Sequence, residues 1–391
     1  MNMKKSLFVF TLALALVSVA CGQPKTPKQA SFDGMKPMTK EVNKTTLNQD
    51  IAQMLIVGFR GTTLEKDSRI VRAIQKYGIG GVILFEYDAP TGTHHRNIVS
   101  PDQLKKLCAD LQQYAGGKLL IGIDQEGGSV TRLKQVDGFT TIPSAEHMAT
   151  VGIDSVIEYA AQNMKLLQSI GINLNFAPCA DVNVNPKSPA IGKLGRSFSS
   201  DPEMVALCCR KWIELQTSGK IISCLKHFPG HGSAAGDTHK GLVDVTDSWT
   251  EVELEPYRTL IREMDVPMIM MAHVVNKNFD PQYPASLSKG YTTEMLRKNM
   301  GFKGVIITDD MAMGAIVKQY GYDEALRLAL EAGADMLCLG NNGVTYDDEI
   351  VEKTINIISN LVKEGKIDAS RIRESAKRIR EMKSKFGIDV Q

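Results

Sequence analysis

The sequence predicts an α/β protein, a single (β/α)8 TIM-type barrel with extra C-terminal helices. Three observations lead there. Eight short apolar runs alternate with segments of helical periodicity. Most of these runs are apolar throughout, as parallel strands covered on both faces must be. A polar or charged cluster follows each run, at the end of the strand where a barrel carries its chemistry.

The expected strands, in order, are Met54–Phe59, Gly81–Phe85, Leu119–Ile123, Leu174–Ala180, Ile221–Leu225, Met268–Ala272, Gly304–Thr308 and Met336–Leu339. Between them, helical spacing covers Leu64–Tyr77, Pro101–Tyr114, Ser155–Ile170, Asp201–Thr217, Val252–Met264, Thr292–Asn299 and Tyr322–Ala332. Ser200-Asp201-Pro202-Glu203 reads as a helix start, with a polar cap, an early proline and an acid in the first turn. Gly78, Gly219, Gly301 and Gly333 stand just past helix ends, where a left-handed residue closes the last turn. Two more helices, near Asp348–Glu364 and Ala369–Lys385, end the chain. The alternative architecture is a doubly wound open sheet. It calls for a GxGxxG turn after the first strand, and Gly58-Phe59-Arg60-Gly61 lacks that spacing.

Residues 1–20 read as a lipoprotein signal peptide. Lys4 and Lys5 precede an apolar core, Leu7–Leu16, that is too short to span a bilayer. Val17-Ser18-Val19-Ala20-Cys21 looks like a lipobox, which makes Cys21 the expected lipidation site; an ordinary secretory signal is the other reading. Residues 21–45, rich in Lys, Pro, Thr and Gln, read as a flexible tether. Residues 46–391 are left for the barrel. The expected location is therefore outside the cytoplasm, lipid-anchored to a bacterial membrane on its periplasmic or cell-surface side. The other six cysteines fall singly or as the pair Cys208-Cys209 in apolar segments without CxxC spacing, which favours buried free thiols over disulfides or zinc. A net charge of +2 offers no basic footprint for nucleic acid.

At the ends of the eight runs stand Arg60, Glu86, Asp124, Asp181, Lys226 with His227, His273, Asp309 with Asp310, and Asn341 with Asn342. The densest chemistry is Lys226-His227-Phe228-Pro229-Gly230-His231-Gly232, followed by Asp237-Thr238-His239. This stretch gathers three of the chain's seven histidines. Its proline and glycines make it a loop. Three readings are open. Asp237 orients His239 as a general acid/base; or His227, His231 and His239 ligate a metal; or the histidines serve the backbone. Of the adjacent acids, Asp309 is placed in the pocket as nucleophile, ligand or base, with Asp310 capping the next helix. Asp124 and Glu126, in Asp-Gln-Glu-Gly-Gly, are equal candidates for holding ligand hydroxyls or donating a proton. Arg196 either forks onto a ligand or braces its own loop.

These residues carry a resemblance. KHFPGHG followed by D-T-H is similar to the β-N-acetylglucosaminidase branch of glycoside hydrolase family 3. QMLIVGF, IDQEGG, GRSFSSDPE, AHV, ASLS and GVIITDDMAMGAI follow the family in order, over roughly residues 48–385. The resemblance implies an exo-acting, retaining β-N-acetylglucosaminidase without cofactor or metal. Asp309 would be the nucleophile, His239 the acid/base and Asp237 its partner. Asp124, Arg196, Lys226 and His227 would contact the terminal sugar of an N-acetylglucosamine-terminated glycan or peptidoglycan fragment. Glu126 is demoted. A β-glucosidase or glycoside phosphorylase on the same scaffold, or a non-catalytic glycan-binding lipoprotein, are the alternatives. A binder needs neither nucleophile nor acid.

Overall fold

The computed structural model describes residues 46–238 and 241–388. The expected signal peptide, the tether, Cys21 and His239 lie outside the described residues.

Eight parallel strands form the sheet: β1 (Leu55–Gly58), β2 (Gly81–Ile83), β3 (Leu120–Ile123), β4 (Leu174–Asn175), β5 (Ile222–Phe228), β6 (Met268–Met271), β7 (Val305–Thr308) and β8 (Leu337–Leu339). Their spatial order is β7-β6-β5-β4-β3-β2-β1-β8. The two ends meet through a parallel bridge between Ile307 and Met336. Thr308 N–H donates to the Met336 carbonyl at 3.1 Å, and Asp335 N–H to that of Ile306 at 2.7 Å. These bonds close the barrel and leave no open edge. The strands are buried along their whole length, which explains their uninterrupted apolar sequence.

Helices lie between the strands close to where the periodicity puts them, including Pro101–Ala115, Ile153–Ile170, Pro202–Ser218 and Tyr322–Ala332. Ser100 and Asp201 cap two of them by accepting the N–H of Gln103 at 3.3 Å and Glu203 at 3.0 Å. The helix expected from Leu64 starts only at Arg69, because Ser68 adopts extended backbone at its cap. Gly290–Asn299 is wound as a π-helix, with Met300 N–H reaching back five residues to the Met295 carbonyl at 2.9 Å. Among the described residues no helix is long and apolar enough to cross a membrane.

Three local expectations are corrected. The fourth strand stops at Asn175 instead of running to Ala180. Pro178 has no N–H to give a ladder, and pairing resumes only as a bridge between Cys179 and Lys226. The fifth strand runs on to Phe228, so Lys226 and His227 belong to a strand and not to the loop. Bonds on both sides hold them there: Ala180 N–H donates to the Lys226 carbonyl at 2.7 Å and Ala272 N–H to that of Phe228 at 2.8 Å. Gly219 is not left-handed, with φ −87°; Lys220 takes that role at φ 61°. A glycine is still needed, since a Cβ at 219 would lie 2.4 Å from the Met164 side chain.

The N-terminal end of the barrel is sealed by the last helix, Ala369–Lys385. Buried Asp335 pairs with Arg297 at 2.7 Å and also with Arg378. Lys383 Nζ donates to Gln53 Oε1 at 3.0 Å and to the Lys118 carbonyl at 2.9 Å. All six described cysteines are buried and free.

Candidate active site

The opposite end of the barrel holds a cavity of about 590 Å3. Asp124, Arg196, Lys226, His227, Asp237, Asp309 and Asp310 all contribute to its wall. They come from the ends of β3, β5 and β7 and from the loops after β4 and β5. Residues up to 186 positions apart in sequence (from 124 to 310) are thus brought to one mouth.

The floor is a chain of alternating charges. Lys226 Nζ, buried, stands 2.8 Å from Asp124 Oδ1 and 2.7 Å from Glu126 Oε1. Arg196 grips Glu126 with two bonds, at 2.8 and 2.7 Å, and donates to the Ala190 carbonyl at 2.9 Å. Arg132 reaches Asp124 at 3.2 Å and lies 3.7 Å from Glu86, which Lys134 contacts at 3.2 Å. Burial works against the charged forms, but the neighbouring cations outweigh it. Asp124 is held well below the usual carboxylate range by Lys226 and Arg132, and Glu126 is lowered to about 2 by Arg196 and Lys226. Lys226 is raised in return, burial being overcome by Asp124 and Glu126. These groups keep their charges across the physiological range.

This geometry separates Asp124 from Glu126. Asp124 faces the cavity, whereas Glu126 is clamped behind it between Arg196 and Lys226. The two readings of Arg196 coexist, since it braces its loop and also lines the cavity.

A second network lies under the loop. Asp181, with no exposure, accepts His227 Nδ1 at 2.8 Å and the N–H groups of His227 at 3.2 Å and His231 at 2.8 Å. The Asp181 contact fixes the His227 ring, whose Nε2 lies 3.4 Å from Arg196 Nη2. His231 is buried beside it, and burial together with His227 lowers its imidazole to about 4, so it is neutral at pH 7. Among the described residues, Cys179, Asp181 and His227 have the spacing of a metal-ligand set. The Cys179 thiol donates to Asp181 at 3.1 Å, and burial pushes that thiol well up, so it is held as a thiol. The three groups already satisfy one another without an ion.

The acidic pair at the end of β7 divides. Asp310 Oδ1 accepts the N–H of Ala312 at 3.0 Å and of Gly340 at 2.8 Å, which ties β7 to β8. Asp309 Oδ1 accepts its neighbour's N–H at 2.8 Å, and its carboxylate borders the cavity. His273 supports the turn, with Nε2 3.1 Å from the Asp310 carbonyl and Nδ1 2.6 Å from Ser286 Oγ.

Sequence reasoning did not single out Arg132, Lys134, Tyr87 or His94, which also border the cavity. Tyr87 and His94 lie in a hairpin after β2, Tyr87–Asp88 with Thr93–His94, and Arg132 and Lys134 just past one after β3, Gln125–Gly127 with Val130–Thr131. The double glycine at 127–128 is a sequence sign of the second, and Pro90 with Gly92, left-handed at φ 70°, of the first.

Comparison with known proteins agrees with the barrel fold. Residues 46–382 match the model of the glycosyl hydrolase family 3 N-terminal domain. A β-hexosaminidase of Neisseria meningitidis serogroup B is 34% identical over 304 residues, spanning 75% of this chain and 78% of that one. One of Tolumonas auensis is 36% identical over 297 residues, with 74% and 83% covered. Among solved structures, a family 3 β-N-acetylglucosaminidase from a Paenibacillus species superposes with a TM-score of 0.80 at 33% identity. That match covers 89% of this chain but 64% of the Paenibacillus chain, so this protein spans under two thirds of that relative. The β-N-acetylhexosaminidase of Beutenbergia cavernae gives a TM-score of 0.76 at 25% identity, over 87% and 99% of the two chains.

Proposed function

The chain belongs to glycosyl hydrolase family 3 and is a glycoside hydrolase, and we propose that it acts as an exo-acting, retaining β-N-acetylglucosaminidase. The observation that carries this reading is the meeting of Asp309 with Asp124, Lys226, Arg196 and Asp237 around one cavity.

In this reading Asp124, Lys226 and Arg196 bind the hydroxyls of the terminal sugar. Their charges are fixed and mutually compensated, which suits a neutral polyol. Asp309 attacks the anomeric carbon. The bond to the leaving oxygen breaks as His239, oriented by Asp237, gives that oxygen its proton. A covalent glycosyl-Asp309 ester results. Neutral His239 then removes a proton from water, the hydroxide attacks the same carbon, and Asp309 leaves as a carboxylate. Two inversions give net retention. The substrate class is N-acetylglucosamine-terminated glycans, including peptidoglycan fragments. From the sequence of residues 1–21 we also propose an exported lipoprotein anchored through Cys21; loss of fatty-acid labelling in Cys21→Ala would support this, and unlabelled wild type would overturn it.

The test of the sugar is direct. Wild-type protein should cleave aryl β-N-acetylglucosaminide far faster than aryl β-glucoside, without added phosphate. The reverse preference, or strict dependence on phosphate, would overturn it. A neutral His239 does not repel an anionic acceptor, which is why phosphate is the control to run.

A further inference from the structure

The cavity changes character from floor to mouth. Its floor is buried and charged. At the rim, Tyr87 is 38% exposed and Leu194 37% exposed, and His94 is exposed as well. Tyr87 and His94 face each other across the short antiparallel ladder after β2, in which Tyr87 pairs with His94 and Asp88 with Thr93. Directly opposed residues share one face of such a ladder. Their rings meet edge to face, with centroids 5.2 Å apart and planes at 63°.

The hairpin that carries them is held firmly. Asp88, buried beneath it, takes two bonds from Arg60, at 2.6 and 2.9 Å, and a third from Arg96 at 3.4 Å. From the loop after β8, Asn342 grips the backbone on both sides of Asp88. Its amide donates to the Tyr87 carbonyl at 2.9 Å, and its oxygen accepts the Ala89 N–H at 2.9 Å. Arg96 in turn donates to Asn342 at 2.9 Å. Ion pairs on a buried aspartate and a two-sided amide clamp thus hold an aromatic pair on the lip of the cavity. Rigid aromatic rings with one face open make low-entropy binding platforms.

We propose that Tyr87 and His94 form the subsite for the leaving-group sugar, by stacking on the C–H face of the pyranose ring next to the scissile bond. The proposal rests on the glycosidase reading given above. With the terminal sugar on the charged floor beside Asp309, the ring it leaves behind must lie toward the rim. There the exposed wall is aromatic on one side and apolar, at Leu194, on another. The ring nitrogens of His94 offer hydrogen bonds to hydroxyls at the ring's edge. The preferred ligand class is therefore a glycan whose second residue is also a pyranose.

The experiment compares two substrates that share the transferred sugar. One is the β-1,4-linked disaccharide of N-acetylglucosamine. The other is β-N-acetylglucosaminyl fluoride, whose leaving group has no ring. In the double variant Tyr87→Ala/His94→Ala, the ratio of kcat/KM for disaccharide over fluoride should fall about tenfold, equivalent to about 1.4 kcal/mol. Tyr87→Phe should keep the ratio within about twofold of wild type. Partial unfolding lowers both rates together and leaves the ratio alone, so a ratio that does not move overturns the subsite. A wild-type enzyme inert toward both compounds overturns instead the function proposed above, and the subsite with it.

Discussion

Glu253 holds Gly232 in place: its Oε2 accepts the Gly232 N–H at 2.7 Å, and that of Ser233 at 3.3 Å. The carboxyl is fully buried under the front of the loop whose far side carries Asp237. Burial raises it to about 7, against the lowering pull of the Ser233 hydroxyl and these two N–H groups. Its ordinary value is 4.5. The folded state therefore holds this proton more tightly than the unfolded chain does. The resulting stabilisation is complete below pH 4.5 and is lost as pH rises through 7. Its size is up to about 3 kcal/mol. Glu253→Gln should flatten that part of the stability profile, as urea melts at pH 4.5, 6 and 8 would show. A slope identical to wild type would remove Glu253 as its source.

Asp309→Ala should abolish turnover. Removing a covalent nucleophile costs on the order of 10⁴-fold or more in kcat. The backbone bond from Asp309 N–H to the Met271 carbonyl at 3.0 Å remains, and the lost side-chain bond to the Asp310 N–H should cost about 1 kcal/mol, too little to unfold the variant. Full activity in Asp309→Ala would exclude it as nucleophile.

His239→Ala should discriminate by leaving group. General acid catalysis is worth about 10²–10⁴-fold for a poor leaving group such as a sugar alcohol. It matters little for dinitrophenolate, which departs without a proton. Steady-state kinetics on both substrates should therefore show a large loss for disaccharide and a small one for the dinitrophenyl glycoside. Equal losses would assign His239 another role.

Lys226→Met should be one of the more destabilising substitutions in the barrel. It leaves the buried carboxylates of Asp124 and Glu126 without the cation they share, at a cost of about 3–5 kcal/mol. The penalty has a pH signature. Both acids have folded values below their unfolded ones, so the network's stabilisation is present above about pH 4.5 and is lost as pH falls toward 2. The variant and wild type should converge in acid, which denaturant melts from pH 7 to 3 would reveal.

Gly232→Ala tests the loop from its backbone. A Cβ at 232 would stand 1.7 Å from the Val182 carbonyl oxygen, so the loop has to shift away from the segment that follows β4. The expected cost is about 1–3 kcal/mol in stability, with a fall in kcat/KM for disaccharide. Unaltered kinetics would mean that this contact does not set the loop's position.

Much of this molecule can be read along the chain. Eight apolar runs announce eight buried parallel strands, because a strand covered on both faces has no polar side to show. The residues that end those runs meet at one mouth, since all eight strands point the same way. Asp309 and Asp310 are less separable than expected: Asp310 does not cap the next helix, whose cap is Met313 without a side-chain bond, but binds the Ala312 and Gly340 N–H groups, and both acids border the cavity. The short fourth strand and the long fifth are less legible. A proline inside an apolar run and two charged residues on a buried strand both contradict the local pattern, and neighbouring strands decide the outcome.

By itself, the sequence determined the barrel, the end that carries chemistry and the strand-end part of the cavity wall, such as Asp124, Lys226 and Asp309, because each follows from periodicity and from residue type at a strand's end. Only the tertiary structure decided how those residues divide their work. Asp124 and Glu126 are two positions apart and chemically alike, yet one faces the cavity and the other lies behind it. The difference comes from Arg196, 70 residues from Glu126 in the chain, and from Lys226 between the two acids. Charge pairing acts through space, and so do the clamp on the Tyr87 hairpin and the Glu253 anchor.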